Sequence, residues 1–528
     1  MPEFKGPIDA QSQLVAALRS SERSSQAWPH PVADIEIVET HISWVLLTGS
    51  FAYKIKKAVK LEFLDFSTLE RRRHFCEEEL RLNRRWAPEL YLEVVPICGS
   101  VANPVIGGAG EAIDYAVKMV QFPQSAQLDH QLDADLLREA DLEHLAETVA
   151  GYHRNARIIE YGNDRESVRK VRAPMLENFL PLEQAIDMRL LSRVEKWTRK
   201  TLQELKPTLI QRRKDGFVRE CHGDLHLANL ARLPSGIAAF DCVEFSAALR
   251  NIDVISDIAF LFMDLVARAR QDLAAVFLNR YLERTGDYAG MQVFGLYFVY
   301  HCMIRAKVAA IRSMERSRPA DRDDDIDRLK HNLAVAARWI ERRPPRLIAM
   351  HGYSGSGKTW LSSQLVSSVP AIRLRSDIER KRVFGAGGAF DPAVLTDSGR
   401  YSQRSRAEVY QKLFETAGLL LDEGLNVIID ASFLRKADRD AVMRLADRRN
   451  VAAVFVDATA HETTLISRLD SRSAVGRDAS DADVDVLRFQ IASADALSAE
   501  ERRCTVSVAT DQDVDIDNVV KRVLSVKA

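Results

Sequence analysis

The sequence predicts two domains of mixed class: an α+β part, with a small β-containing lobe followed by a helical lobe, and an α/β part built on a doubly wound parallel sheet. Three observations carry this. The chain has 528 residues, more than one hydrophobic core usually serves. At Pro344 and Pro345 two prolines end a helical pattern just before an apolar strand, Leu347 to Met350, which sets a boundary between domains at 1–343 and 346–528. Beyond that seam, apolar runs (347–350, 371–374, 426–429, 451–456, 505–508) alternate with helical stretches, the order that gives parallel strands with helices on both faces.

Composition narrows the class. Hydrophobic residues make up 46% and charged residues 28%, as in ordinary globular proteins. The 74 basic and 75 acidic residues leave a net charge of -1, and no long block of one sign offers itself to a polyanion or a membrane surface. Nucleic acid is therefore a disfavoured partner. Cys76, Cys98, Cys221, Cys242, Cys302 and Cys504 are far apart and form no C-x-x-C pair, which signals neither a disulfide framework nor a zinc site. The N-terminus has no apolar signal-peptide core, and the most apolar stretch, Val293 to Ile304, is too short to span a bilayer. The expectation is a soluble cytoplasmic protein, with its oligomeric state undetermined.

In the first part, Ile42–Thr48 and Phe51–Ile55 flank a Gly49-Ser50 turn and predict a hairpin. Ser67-Thr-Leu-Glu70 has capping-box spacing and predicts a helix from Ser67 to about Trp86, ahead of Pro88. Val117 to Phe122 reads as an ordinary core strand or as a strand leading into a hinge between lobes. Helical patterns occupy 135–205 and Asp253 to about Ile340, including the charge-dense Arg318–Arg328, which reads as a solvated face.

The most specific feature before the seam is His222-Gly-Asp224-Leu-His-Leu-Ala-Asn229, followed by Asp241. In the loop H-R-D-x-x-x-x-N, the Asp takes the proton of an acceptor hydroxyl, the Asn five residues on holds a metal, and a later Asp coordinates Mg²⁺. Asp224, Asn229 and Asp241 reproduce that set, with Gly223 in place of Arg. Such a site needs a lysine on a strand for the α and β phosphates, and Lys54 stands in that position. Its partner is expected on the capped helix. Glu77 shares a charged face with Arg73, Arg81 and Arg84, whereas Glu79 lies on a row with Phe75, Leu82 and Trp86, so the helical period selects Glu79. Asp253 and Asp257 read as caps or local ion pairs, with a cationic substrate as the sharper alternative. His153 and His301 read as structural.

After the seam, Gly352-Tyr353-Ser354-Gly355-Ser356-Gly357-Lys358-Thr359 fills every fixed position of G-x-x-x-x-G-K-[ST] between a strand and a helix. Its glycines let backbone N–H groups turn around phosphate oxygens. Lys358 would reach the β and γ phosphates and the Thr359 hydroxyl would ligate Mg²⁺. Asp377, at the C-terminal end of the next strand, is placed to accept a proton from a second acceptor hydroxyl or to cap the following helix. Asp430, ending Val427-Ile-Ile-Asp430, is a carboxylate for Mg²⁺ or its water shell, or a cap. Arg468 and Arg472 share a helix face that reads either as solvated or as a pair that could close over a transferring phosphoryl group.

The segments Gly352–Thr359, Ser376-Asp377-x-x-Arg380, Val427–Phe433, Arg468/Arg472 and Ser480-Asp481-Ala482 resemble the P-loop kinases of the zeta-toxin, gluconate-kinase and polynucleotide-kinase type, over about 346–528. In the polynucleotide-kinase branch the D-x-x-R aspartate is the general base and its arginine contacts substrate. The resemblance puts those roles on Asp377 and Arg380. His222–Asn229 with Asp241 resembles the aminoglycoside phosphotransferase and choline kinase group over about 40–265, which implies a bilobal protein-kinase-like fold. No G-x-G-x-x-G precedes Lys54, a departure from the protein-kinase pattern. The whole chain is similar to bacterial fusions of an aminoglycoside-phosphotransferase-like domain with a P-loop kinase-like domain. This implies a bifunctional phosphotransferase with two ATP/Mg²⁺ sites acting on hydroxyls of small molecules. Two alternatives stand beside it: one nucleotide-binding domain regulating the other, and a polynucleotide-end kinase.

Overall fold

Alternating apolar residues between Glu36 and Val120 fold into a six-stranded antiparallel sheet. Its strands are β1 (Glu36–Glu39), β2 (Ser43–Leu47), β3 (Phe51–Lys56), β4 (Tyr91–Gly99), β5 (Pro104–Ile106) and β6 (Ala112–Val120), in the order β1-β2-β3-β6-β4-β5. The computed structural model describes residues 7–20, 27–32, 34–61, 64–160, 162–182, 188–315, 318–341, 344–384, 400–475 and 483–527. They form two compact units, one of residues 1–173 and 209–264, the other of 174–208 and 265–528.

Period-two alternation sends the residues of β3 to opposite faces. Tyr53 and Ile55 pack with Trp28, Trp44 and the helix α1 (Pro7–Ser20), through Leu14, Val15 and Leu18. Ala52 lies in the opposite cluster with Cys76 of the helix α2 (Leu69–Asn83) and with Val117 and Met119. Lys54 and Lys56, in step with Ala52, therefore belong to the α2 face. The helix starts one residue later than its capping-box spacing predicts. Thr68 is the N-cap and its Oγ1 accepts from Arg71 N, while Ser67 is drawn back to Asp65, whose carboxylate takes both its N–H and its hydroxyl.

The rest of the first unit includes α3 (Glu139–Asn155), an antiparallel pair β7 (Val218–Glu220) with β10 (Asn251–Asp253), and the hairpin β8 (Leu230–Leu233) and β9 (Gly236–Ala239). α4 (Val254–Ala267) follows.

In the second unit, β11 (Arg346–His351), β12 (Ala371–Arg375), β13 (Asn426–Asp430), β14 (Ala452–Thr459) and β15 (Thr505–Ala509) form a wholly parallel sheet in the order β12-β13-β11-β14-β15. Each predicted strand is present. Ile348, Met350, Ile428, Val454 and Val456 share one core with Leu361 and Leu365 of α8 (Lys358–Ser368) and with Val519 and Val523 near the C-terminus. The helices α5 (Gln271–Thr285), α6 (Met291–Glu315) and α7 (Pro319–Ile340) precede the seam yet belong to this unit, and Ala275 of α5 enters the sheet's core. The compact units thus divide the chain differently from the seam at Pro344. The apolar stretch from Val293 lies in the first half of the longer helix α6. Tyr288–Met314 is long and apolar enough to cross a membrane, and 67% of its most apolar window is buried within the protein. Trp339 of α7 stacks on Phe298 of α6 at 4.2 Å.

Candidate active sites

In the first unit, strand β3, helix α2 and the segment after β9 bring separated charges together. Lys54 Nζ donates to Glu79 Oε1 at 2.8 Å and to Asp241 Oδ1 at 2.5 Å. Glu79 is fully buried, so the apolar row of the helix does turn it inward while Glu77 pairs with Arg73 on the exposed side. Two members of the cluster were missed in the sequence. Lys56, fully buried, donates to Glu79 Oε2 at 2.6 Å and also bonds Glu244. A signal for Lys56 was present, since it stands two residues from Lys54 on one face of a strand. Glu244 had none. Burial pushes the Glu79 carboxyl up, but the two ammonium groups outweigh it and hold it well below its ordinary value. At Lys54 burial opposes the charge, and Asp241 and Glu79 restore it.

Asp241 sits at φ 61°, a left-handed conformation, and its N–H donates to the Tyr91 hydroxyl at 3.0 Å. Asn229 Nδ2 donates to both the carbonyl and Oδ2 of Asp224, each at 3.0 Å. With Nδ2 so engaged, the Asn229 side-chain amide oxygen and the Asp241 carboxylate are the oxygen donors that suit Mg²⁺. His222 Nε2 meets Phe240 O at 3.0 Å, tying the Asp224 loop to the strand that delivers Asp241. Gly223 has φ 86°, and a Cβ there would come within 2.8 Å of Leu249 O, so the position taken by Arg in protein kinases admits only glycine here. Asp257 holds the loop from below, accepting from His222 N at 3.0 Å and Gly223 N at 2.9 Å and meeting His153 Nε2 at 3.1 Å. Asp253 forms a two-pronged pair with Arg212. Neither aspartate is placed to greet a cationic substrate. Gln121, beside the expected hinge, accepts from Gly49 N at 2.8 Å and so ties β6's end to the hairpin turn.

In the second unit, Gly352, Gly355 and Gly357 all have positive φ (132°, 81° and 82°), turning the loop before α8. A Cβ on Gly352 would collide with Ala458 O. Lys358 Nζ donates to Tyr353 O at 2.6 Å, folded along the loop. Ser354 N donates to Gln490 Oε1 at 2.8 Å, a contact with no sequence signal. Asp430, at the end of β13, accepts from Ser362 Oγ at 3.1 Å and lies 4.0 Å from Arg375 Nε. Asp377, in the first turn of α9 (Ser376–Phe384), stands 3.7 Å from Arg380. Burial raises the Asp377 carboxyl, the Asp430 charge adds to the rise, and Arg380 and Lys358 oppose it. Asp377, Asp430 and Lys358 therefore share one electrostatic neighbourhood. The carboxylates with the Thr359 hydroxyl again offer oxygen donors of the type Mg²⁺ takes.

Arg468 is placed differently from its predicted role. Its guanidinium donates to Gly355 O at 3.2 Å, Thr510 Oγ1 at 3.1 Å and Thr510 O at 2.8 Å, so it ties the loop to Thr510. The side chain of Arg472 and residues Ser480-Asp481-Ala482 lie outside the described residues.

The fold and these two sites define a protein in which a bilobal, protein-kinase-like fold is joined to a P-loop domain. The family is shown by sequence: the chain belongs with the uncharacterized protein Rv2004c of Mycobacterium tuberculosis, 30% identical over 457 residues that span 85% of this chain and 89% of that one. A family model described as "AAA domain" matches residues 347–497. Among solved structures, the chain is similar to choline kinase from Cryptosporidium parvum Iowa II (10% identity, TM-score 0.38, 62% of this chain and 96% of that one). It is also similar to a gluconokinase from Sinorhizobium meliloti 1021 (20% identity, TM-score 0.24, 35% of this chain and 92% of that one). The fold assignment rests on the topology described above.

Proposed function

We propose that the chain is a bifunctional ATP-dependent phosphotransferase with one ATP/Mg²⁺ site in residues 1–343 and another in 346–528. Each site moves a γ-phosphoryl group to a hydroxyl of a small molecule in the cytoplasm. One observation carries this reading most: Lys54, Glu79 and Asp241, drawn from three distant segments, meet within hydrogen-bonding distance, and Asn229 bonds Asp224 on the adjoining loop. Buried charges are retained in such an array at a desolvation cost, which a purely structural core would avoid with apolar side chains.

At the first site Asp224 orients the acceptor hydroxyl and takes its proton, Lys54 holds the phosphates in a position fixed by Glu79, and Asn229 with Asp241 would hold Mg²⁺. At the second, Lys358 and the loop amides from Gly352 to Gly357 take the phosphates, Thr359 and Asp430 would hold Mg²⁺, Asp377 is the base and Arg380 contacts the acceptor. When bound, Mg²⁺ would neutralise phosphate charge. The chain's own part is positioning and electrostatic stabilisation. Arg468 acts as a brace for the loop.

The test is a metabolite-pool screen for ATP-dependent gain of phosphoryl mass with wild type, Asp224→Ala and Lys358→Ala. Products lost in one variant and kept in the other assign each acceptor to its site. A wild-type protein that hydrolyses ATP and phosphorylates nothing in the pool would sink the reading in favour of nucleotide-driven regulation.

A further inference from the structure

Among the described residues strand β12 is an edge of the second unit's sheet, paired on one side only, with β13. Asn279 of α5, buried, takes that place. Its Nδ2 donates to Ala371 O at 2.9 Å and its Oδ1 accepts from Arg373 N at 2.6 Å. One helical turn further on, Glu283 is also buried and faces the side chains of the same strand. It accepts from Arg373 Nη2 at 3.0 Å and lies 3.9 Å from Arg375 Nη1, with Arg280 of its own helix 3.4 Å away.

On their other side these arginines approach the site. Arg375 Nε is 4.0 Å from Asp430 Oδ2. Arg373 Nη1 reaches the hydroxyls of Ser363 at 2.5 Å and Ser362 at 3.4 Å, and Ser362 in turn donates to Asp430 at 3.1 Å. Two guanidinium groups thus stand between two carboxylates, one assigned to metal binding and one, Glu283, with no role in the reaction. An arginine that closed fully on Asp430 would compete with a divalent cation for the same oxygens.

We propose that Glu283 is a positioning residue of the P-loop site, holding Arg373 and Arg375 back so that Asp430 stays available to the metal of bound nucleotide. The inference rests on the assignment of Asp430 in the proposed function. It makes α5, which precedes the seam, a working part of the second site.

The test uses the full chain and reads binding rather than turnover. Calorimetric titrations with ATP in excess Mg²⁺ and with ATP in EDTA give a ratio of affinities for the site that Lys358→Ala removes. Glu283→Gln is expected to lower that ratio about tenfold, because a unit charge is freed beside Asp430 in a partly buried setting, and metal-free ATP should bind as in wild type. Adding Arg375→Met to that variant should restore the ratio. Asn279→Ala removes the edge contact without changing charge, so it should lower Tm and leave the ratio alone. A wild-type ratio in Glu283→Gln, or no recovery in the double variant, overturns the proposal. If Glu283→Gln does not fold, Arg375→Met alone decides: a ratio raised about threefold supports the proposal, and an unchanged or lowered one overturns it. Should Lys358→Ala bind nucleotide at both sites as wild type does, the P-loop assignment itself fails, a result separate from any effect at Glu283.

Discussion

The two lysines proposed to hold phosphate in this chain are held in opposite ways. Lys54 is buried in a lattice of charge, with Glu79 and Asp241 on it and Lys56 and Glu244 behind. Lys358 lies along its own loop, donating to the carbonyl of Tyr353 five residues before it. The first arrangement is assembled from strands and a helix far apart in sequence. The second is local, set by glycine backbone angles and the start of a helix. The hold on Lys54 therefore depends on tertiary packing for its electrostatics, whereas the hold on Lys358 lies within the eight residues of its loop.

That difference can be broken by mutation. Asp224→Ala should lower transfer at the first site by at least about 10³-fold while nucleotide binding at the second is unchanged, checked by steady-state kinetics beside nucleotide titration. Equal loss at both sites would mean that they are not independent. Next in size, Glu79→Ala leaves two buried ammonium groups without their shared carboxylate and should cost about 3 kcal/mol in denaturant unfolding of the first unit, since breaking a buried ion pair strands the remaining charge. Lys358→Ala removes a hydrogen bond to the lysine's own loop and should leave stability nearly untouched while abolishing nucleotide binding at the proposed site.

A pH profile sharpens the contrast. Asp377 is raised above the ordinary carboxyl range by burial and by Asp430. As the proposed base, Asp377 acts deprotonated, so activity at the second site should begin to fail, on lowering pH, at a higher pH than for an ordinary aspartate. Arg380 opposes the rise, so Arg380→Gln should move that acidic limb of kcat/KM upward; a downward move would contradict the assignment. At the first unit the sign is reversed. Glu79 is held below its unfolded value, so its contribution to stability is present above the ordinary carboxyl range and is lost as pH falls through its depressed folded value. The smallest effect concerns the helix that carries it. Thr68→Ala should cost about 1 kcal/mol in thermal or denaturant unfolding, and Ser67→Ala less, because Thr68 is the cap.

Much of this was readable beforehand, for identifiable reasons. The parallel strands announced themselves as short apolar runs, because strands covered on both faces have no polar side to show. Glu79 was separable from Glu77 and Glu78 because a helix has a fixed period and only one of the three shares a row with apolar side chains. The cap of that helix was misplaced by one residue, since Ser67 and Thr68 have the same chemistry and only the pull of Asp65 on Ser67 distinguishes them.

By itself, the sequence determined the elements and motifs that depend on neighbours along the chain: the P-loop, the Asp224–Asn229 spacing and the strand alternation, but not the division into compact units, which does not fall at Pro344. Only the tertiary structure decided which distant charges meet. It brought Lys56 to Glu244, tied Arg468 to Gly355 and Thr510, and set Asn279 and Glu283 against the edge strand β12. The physical reason is that backbone preference and hydrophobic period act over a few residues. The energy of a buried charge is fixed by whatever folding packs beside it, and no local pattern records that neighbour.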